Sequence, residues 1–240
     1  MSLVTDLQAA RQLLASLLPL DPPHALRHYF ALEHDPRRSR LIVHLDSCGQ
    51  PSAFVAVCQT GVDLFRPLVV LHGDTDGLDQ ALTVALTPGR AYLASAQLEH
   101  HDWLKSRVRI TDLERCRVLF LAPERFQPVL NILVQLSHTP DGLPRAVIHG
   151  RDGGVVAEAG ASWMSSRYAE VFVEVAEAAR GRGLGKSVVS ALSARVLEMG
   201  RVPIYVAPER NTASLALAQR LGYADSGARE WNGALIAQQP

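Results

Sequence analysis

Apolar side chains between residues 5 and 19 recur in helical rhythm, interrupted by Asp6, Gln8, Arg11 and Gln12. Two prolines in "DPPH" end that helix, and a second is expected over 23–33. The pattern then changes. "RLIVHLDSCGQPSAFVAVCQ" holds two β-branched apolar runs around a Ser-Cys-Gly-Gln-Pro turn, the signature of a hairpin. "RPLVVLHGD" is apolar without alternation, as expected of a strand buried on both faces. A helix in "DTDGLDQALTVALT", a strand in "RAYLASAQLEH", a short helix in "HDWLKSR" and a strand in "RCRVLFLAP" follow.

The second half opens on "PERFQPVLNILVQLSH", which reads as a helix with Pro123 near its start, where a missing N–H costs little. "AVIHGRDGGVVAEAGASWM" reads as a hairpin turning at Arg151-Asp152-Gly153-Gly154. Then come a strand in "YAEVFVEVA", a helix in "LGKSVVSALSARVLEMG", a strand in "VPIYVAP" and a helix in "NTASLALAQRLG". One or two strands follow in "YADSGAREWNGALIAQ". The two halves therefore present similar orders of elements without evident sequence identity, which predicts an α/β chain divided into 1–125 and 126–240. The competing arrangement is a single C-terminal domain with an irregular N-terminal cap.

Composition narrows the function class. In 240 residues, Lys+Arg and Asp+Glu each total 24, so the chain has no general basic footprint for nucleic acid. No apolar run approaches the roughly 18 residues of a membrane span, and the N-terminal stretch lacks a basic leader, so a cytoplasmic location without membrane contact is expected. Cys48, Cys58 and Cys116 have no CxxC spacing and read as reduced packing residues. Adjacent His100 and His101 beside Asp102 lack a further ligand at helical spacing and read as a surface turn. Asp74, Asp76 and Asp79 lack the calcium-loop pattern and read as helix capping, so no metal is expected. Trp163 and Trp231 are candidates for the core or for an acceptor pocket.

The stretch with chemistry is "RGRGLGKS", residues 180–187. Walker A would need a glycine where Arg180 stands, and the dinucleotide fingerprint needs one more residue before its last glycine. What remains is Arg180-Gly181-Arg182-Gly183-Leu184-Gly185, followed by Lys186 at the opening of a helix. Backbone N–H groups without side chains before them, at a positive helix terminus, suit a pyrophosphate.

This R-x-x-G-x-G loop, between the strand "EVFVEVA" and a helix, and followed by "IYVAP" and "ERNTASLALAQRLGYADSG", resembles the GNAT superfamily of acyl-CoA-dependent N-acyltransferases over about residues 144–226. The stretch "VEVAEAARGRGLG" is similar to a subgroup motif, with Glu177 where many relatives have proline. The resemblance implies a C-terminal GNAT fold: a central mixed, mostly antiparallel sheet flanked by helices. It implies acetyl-CoA as cosubstrate and a direct attack by a primary amine in a ternary complex. Main-chain groups of Val173, Glu174 and Val175 would meet the pantetheine arm, with Asn211 and Ser214 near pantetheine or phosphate. Tyr223 would be the acid for the departing thiolate, and Glu174 or Glu170 the base. On an ideal strand those two glutamates share a face, unless a bulge intervenes. The acceptor, a small molecule or a protein N-terminus or lysine, is not encoded in any motif, nor is the oligomeric state. A CoA-binding or protein-interaction module without catalysis is the rival class.

The first half has "GDTDGLD" where the repeat would put the loop, with acids and no base. It is expected to be a degenerate GNAT-like half that has lost cofactor binding.

Overall fold

The computed structural model describes residues 2–61 and 63–238. Two compact units emerge, one of residues 1–116 with 229–240, the other of residues 117–228. The boundaries between these units fall inside two strands, after Cys116 and after Ala228.

In the first unit a short strand β1 (Ser2–Val4) precedes α1 (Leu7–Leu14) and pairs antiparallel with β2 (Ser39–Leu45). The sequence pattern did not call for β1, which is only three residues long. Asp6 caps α1 by accepting the Ala9 N–H at 2.8 Å. Pro22–His24, α2 (Ala25–His28) and a wide turn over Tyr29–Glu33 form the expected second helical stretch. Then β2 and β3 (Pro51–Cys58) make the hairpin, followed by β4 (Leu68–Gly73), α3 (Thr75–Ala85), β5 (Ala91–Gln97) and α4 (His101–Arg107). Strand β6 (Val108–Phe120) leaves this unit after Cys116. The sheet order is β1-β2-β3-β4-β5-β12, where Glu230–Ile236 of β12 (Ala224–Ala237) run antiparallel to β5. One face packs on α3 through Leu78, Ala81, Leu82 and Ala85, against Val55, Val69, Leu71 and Tyr92.

In the second unit the expected helix over 123–138 does not form. Pro123–Arg125 is one tight turn, the chain then runs without regular structure, and β7 (Gln135–His138) ends the stretch. Pro128 lacks the N–H an interior helical position would need. Phe126, Val129 and Val134 instead pack individually on the core, and the Val129 N–H donates to Ser190 Oγ at 2.7 Å. The hairpin β8 (Pro144–His149) and β9 (Val155–Met164), then β10 (Tyr168–Val175), α5 (Leu184–Glu198), β11 (Val202–Pro208) and α6 (Thr212–Arg220) follow as expected. The final strand is single, and its sheet neighbours run β6-β11-β10-β9-β8-β7. Ala169 and Val171 of β10 join Val188, Val189, Leu192 and Val196 of α5 in the core.

The repeat in element order is also a repeat in pairing. In the first unit β4 is parallel to β5 over Leu68–Val70 and Leu93–Ser95; in the second β10 is parallel to β11 over Tyr168–Glu170 and Val202–Ile204. Each unit is thus a mixed, mostly antiparallel sheet with helices, the architecture expected from the sequence.

Candidate functional site

The pairing of β10 with β11 stops at Glu170, while its antiparallel ladder to β9 continues to Val175. From Val171 onward, the main-chain groups of β10 that point toward β11 have no strand to meet. A strand whose backbone is open on one side can accept an extended, amide-bearing chain as if it were a further strand.

The open strand leads into a tight turn at Glu177–Ala179 and then into the glycine loop. Gly181 and Gly183 both have φ of 76°, a left-handed conformation that a side chain resists. Gly183 is also the N-cap of α5, and no side chain caps that helix. The Ser187 N–H is the first to return, to the carbonyl of Gly183 at 3.1 Å. The N–H groups of Leu184, Gly185 and Lys186 are thereby the orphan donors of the helix terminus. Gly185 is buried, and a Cβ there would stand 3.1 Å from Val175 Cγ2 and 3.3 Å from Leu217 Cδ1. A larger residue would fill the space between loop, strand and α6.

These parts enclose a cavity of about 1040 Å³. Of the residues singled out in the sequence, Val173, Glu174, Val175, Arg180, Gly181, Gly183, Leu184, Gly185, Lys186, Asn211 and Ser214 line it. Arg180 also donates from Nε to the Val175 carbonyl at 3.3 Å, tying the loop to the strand it follows. Asn211 accepts the Ser214 N–H at 3.1 Å and so caps α6, and Ser214 Oγ lies 2.7 Å from the Tyr205 hydroxyl.

Three expected members lie elsewhere. Arg182 is exposed and forms no wall of the cavity, because left-handed glycines on both sides put it at the tip of the loop. Glu170 faces Trp163 across the β9–β10 ladder and accepts its indole N–H at 2.5 Å. The register shift between Glu170 and Val171 skips Ser162 on β9, so alternation along β10 survives and Glu170 and Glu174 do share a face. Tyr223 is the larger correction. Its ring is buried in the core, its hydroxyl is 2.8 Å from Ser193 Oγ on α5, and burial pushes its pKa upward. It closes α6 onto the sheet and does not reach the cavity.

Other walls escaped the sequence reading. Val155, Val156, Ala157 and Glu158 of β9 contribute, as do Leu217 and Arg220 of α6. Helical spacing holds the signal for the last two, since Ala213, Leu217 and Arg220 fall at i, i+4 and i+7. Glu158 stands directly opposite Glu174, and Arg145 holds it at 2.6 Å through Nη2 and 2.7 Å through Nε. One cationic partner thus offsets a like-charged cross-strand pair.

His100 is not on a surface turn: it is buried, with Nε2 2.8 Å from the Gly73 carbonyl oxygen. Asp74 caps α3 by accepting the Gly77 N–H at 2.7 Å, whereas Asp79 instead holds Arg107 and the indole of Trp103. Trp163 is buried, and Trp231 is half-buried against His101. Cys58 and Cys116 are buried and Cys48 is exposed. Burial pushes the Cys58 thiol up to about 11. No cluster of metal-ligating side chains occurs among the described residues, and no helix there is long and apolar enough to cross a membrane.

Residues 142–230 match the family model described as GNAT acetyltransferase. No curated protein matches the sequence. Among solved structures, a Drosophila protein aligns over 98% of both chains at 15% identity with a TM-score of 0.72. A GCN5-related N-acetyltransferase-like protein from Streptococcus suis aligns over 94% of this chain and 99% of its own at 16% identity and TM-score 0.62. A tandem GNAT protein of the clavulanic acid biosynthesis pathway aligns over 100% and 99% at 13% identity and TM-score 0.60. At such identities the likeness is one of fold, and it extends over both halves.

Proposed function

Given that residues 142–230 are a GNAT acetyltransferase domain, a family that transfers acyl groups from acyl-CoA, we propose that the chain is an N-acetyltransferase moving acetyl from acetyl-CoA to a primary amine. The observation that carries this reading is the continuity of one cavity from the open backbone of β10 to the uncapped start of α5. Such a shape fits a cosubstrate with a pyrophosphate at one end and an amide-bearing arm at the other.

In this reading the N–H groups from Gly181 to Lys186 hold the pyrophosphate, and Arg180, Lys186 and Arg220 supply charge from the cavity lining. Arg182 contributes only from outside. Val173, Glu174 and Val175 engage the pantetheine arm through their main chain, with Asn211 and Ser214 also lining the cavity.

The amine nitrogen attacks the thioester carbonyl carbon, the C–S bond breaks as the tetrahedral intermediate collapses, and the amine proton must leave. Two carboxylates stand on the cavity wall; Glu158 is held by Arg145, and Glu174 is assigned as the base that takes this proton, directly or through water. Glu170 is assigned a supporting place on the same face. With the Tyr223 hydroxyl occupied by Ser193, the proton for the thiolate comes from the same base or from solvent.

Calorimetric titration with acetyl-CoA, paired with an acceptor screen read by released thiol, tests the proposal. Binding and amine-dependent thiol release are expected. Failure to bind acetyl-CoA overturns the reading, and binding without transfer to any amine makes the chain a CoA-binding module.

A further inference from the structure

The charged lining of the cavity is divided by sign between its elements. The cations come from the glycine loop and the helices, as Arg180, Lys186 and Arg220. The acids come from the sheet, where Glu158 of β9 and Glu174 of β10 stand directly opposite each other. Neither strand contains a Lys or Arg, and Glu170 of β10 lies on the same face as Glu174.

Two carboxylates at opposed positions of an antiparallel pair repel, and an opposite charge is the favourable partner there. Arg145 of β8 offsets one of the two: it holds Glu158 at 2.7 Å through Nε and 2.6 Å through Nη2. Among the described residues no cationic side chain pairs with Glu174. The strand wall therefore keeps a net negative charge, in a chain whose acids and bases balance at 24 each. A base for the attacking amine accounts for one acid on this wall and leaves Glu158 without a part.

On the acyltransferase reading of this cavity, we infer that Glu158 is a specificity-determining residue that selects acceptors carrying a second positive charge, diamines and longer polyamines. Aliphatic amines are protonated at neutral pH, so such an acceptor arrives as a dication and meets a wall of opposite sign. The reacting nitrogen attacks the thioester carbonyl carbon, and the C–N bond forms as the C–S bond breaks. Of the two protons that this nitrogen sheds, one passes through Glu174 to solvent and the other leaves on the sulfur as thiol. The second nitrogen stays an ammonium against Glu158. Cross-strand neighbours have Cβ atoms about 5 Å apart, so one short diamine spans both carboxylates.

Initial rates of thiol release by the full chain at saturating acetyl-CoA compare putrescine, butylamine and γ-aminobutyrate, which have the same chain length and differ in the far group. The expected kcat/KM of the diamine exceeds that of the monoamine by at least about tenfold, with the amino acid lower still. The ratio should shrink as ionic strength rises toward about 1 M, where the screening length is about 3 Å. Glu158→Gln is expected to lower kcat/KM for the diamine, chiefly through KM, and to shrink the ratio. Arg145→Gln strips Glu158 of its partner and is expected to enlarge the ratio, whereas a loss of packing alone would move both acceptors together. Circular dichroism verifies that the variants are folded. Equal efficiency for diamine and monoamine, or a ratio that the two variants leave unchanged or move in the same direction, overturns the inference and leaves the acyltransferase reading standing. Transfer to no amine at all overturns that reading and this inference with it.

Discussion

His100 Nε2 and the carbonyl oxygen of Gly73 lie 2.8 Å apart, beyond the point at which β4 and β5 of the first unit cease to pair. In the second unit the corresponding strand, β10, keeps its backbone open at that place. Just after Gly73, Asp74 closes the N-terminus of α3 with its own carboxylate, 2.7 Å from the Gly77 N–H, where α5 begins uncapped. The first unit therefore keeps the parting of strands but answers its orphan groups with its own side chains. A pyrophosphate there would meet the Asp74 charge.

One acetyl-CoA per chain is the expected stoichiometry. Gly183→Glu should abolish it, because φ of 76° costs a side chain about 1–2 kcal/mol and the carboxylate faces a diphosphate. Titration calorimetry that returns two sites, or an unchanged affinity in the variant, would contradict this account.

Tyr223→Phe should leave turnover within a few-fold of wild type while lowering stability by about 1 kcal/mol, the worth of the lost bond to Ser193. A catalytic acid would show a drop of roughly 10²-fold or more. Parallel urea melts and initial rates separate the two roles.

Glu174→Gln should reduce kcat by about 10²-fold with little change in acetyl-CoA affinity. Glu170→Gln keeps an acceptor for the Trp163 indole and should cost less. If Glu170→Gln shows the larger loss and Glu174→Gln is silent, the assignment of the base is reversed.

Acid should loosen the first unit. Burial, with Arg27, His24 and His100 nearby, pushes His72 down to about 4, against 6.5 in an unfolded chain. A histidine held neutral in the fold contributes stability that is complete above pH 6.5 and is lost as pH falls from there toward 4, because the unfolded chain binds the proton first. After allowance for partial solvent screening, the loss between pH 8 and pH 5 should be about 1–2 kcal/mol. Denaturant melts at the two values measure it, and His72→Gln should flatten the difference.

Much of the site was legible because it is a backbone device. Glycine spacing at 181, 183 and 185, a strand before and a helix after are local properties, and φ of 76° at Gly181 and Gly183 is what such a sequence permits. Asn211 at the start of α6 is likewise a local device, accepting the Ser214 N–H three residues on. Residues 123–138 misled because apolar content alone does not distinguish a helix from a chain packed one side chain at a time, and Leu130 and Ile132 face solvent instead of a core.

By itself the sequence determined most of the element order and the phosphate-type loop, since each rests on residues close together in the chain, but not β1 or the irregular path that replaces a helix before β7. Tertiary structure alone decided which carboxylates reach the cavity, that Tyr223 spends its hydroxyl on Ser193, and that β6 and β12 each end in the other half's unit. Those outcomes depend on pairings between residues far apart in sequence. There the register of a sheet and the packing of a core, not local propensity, choose the partner.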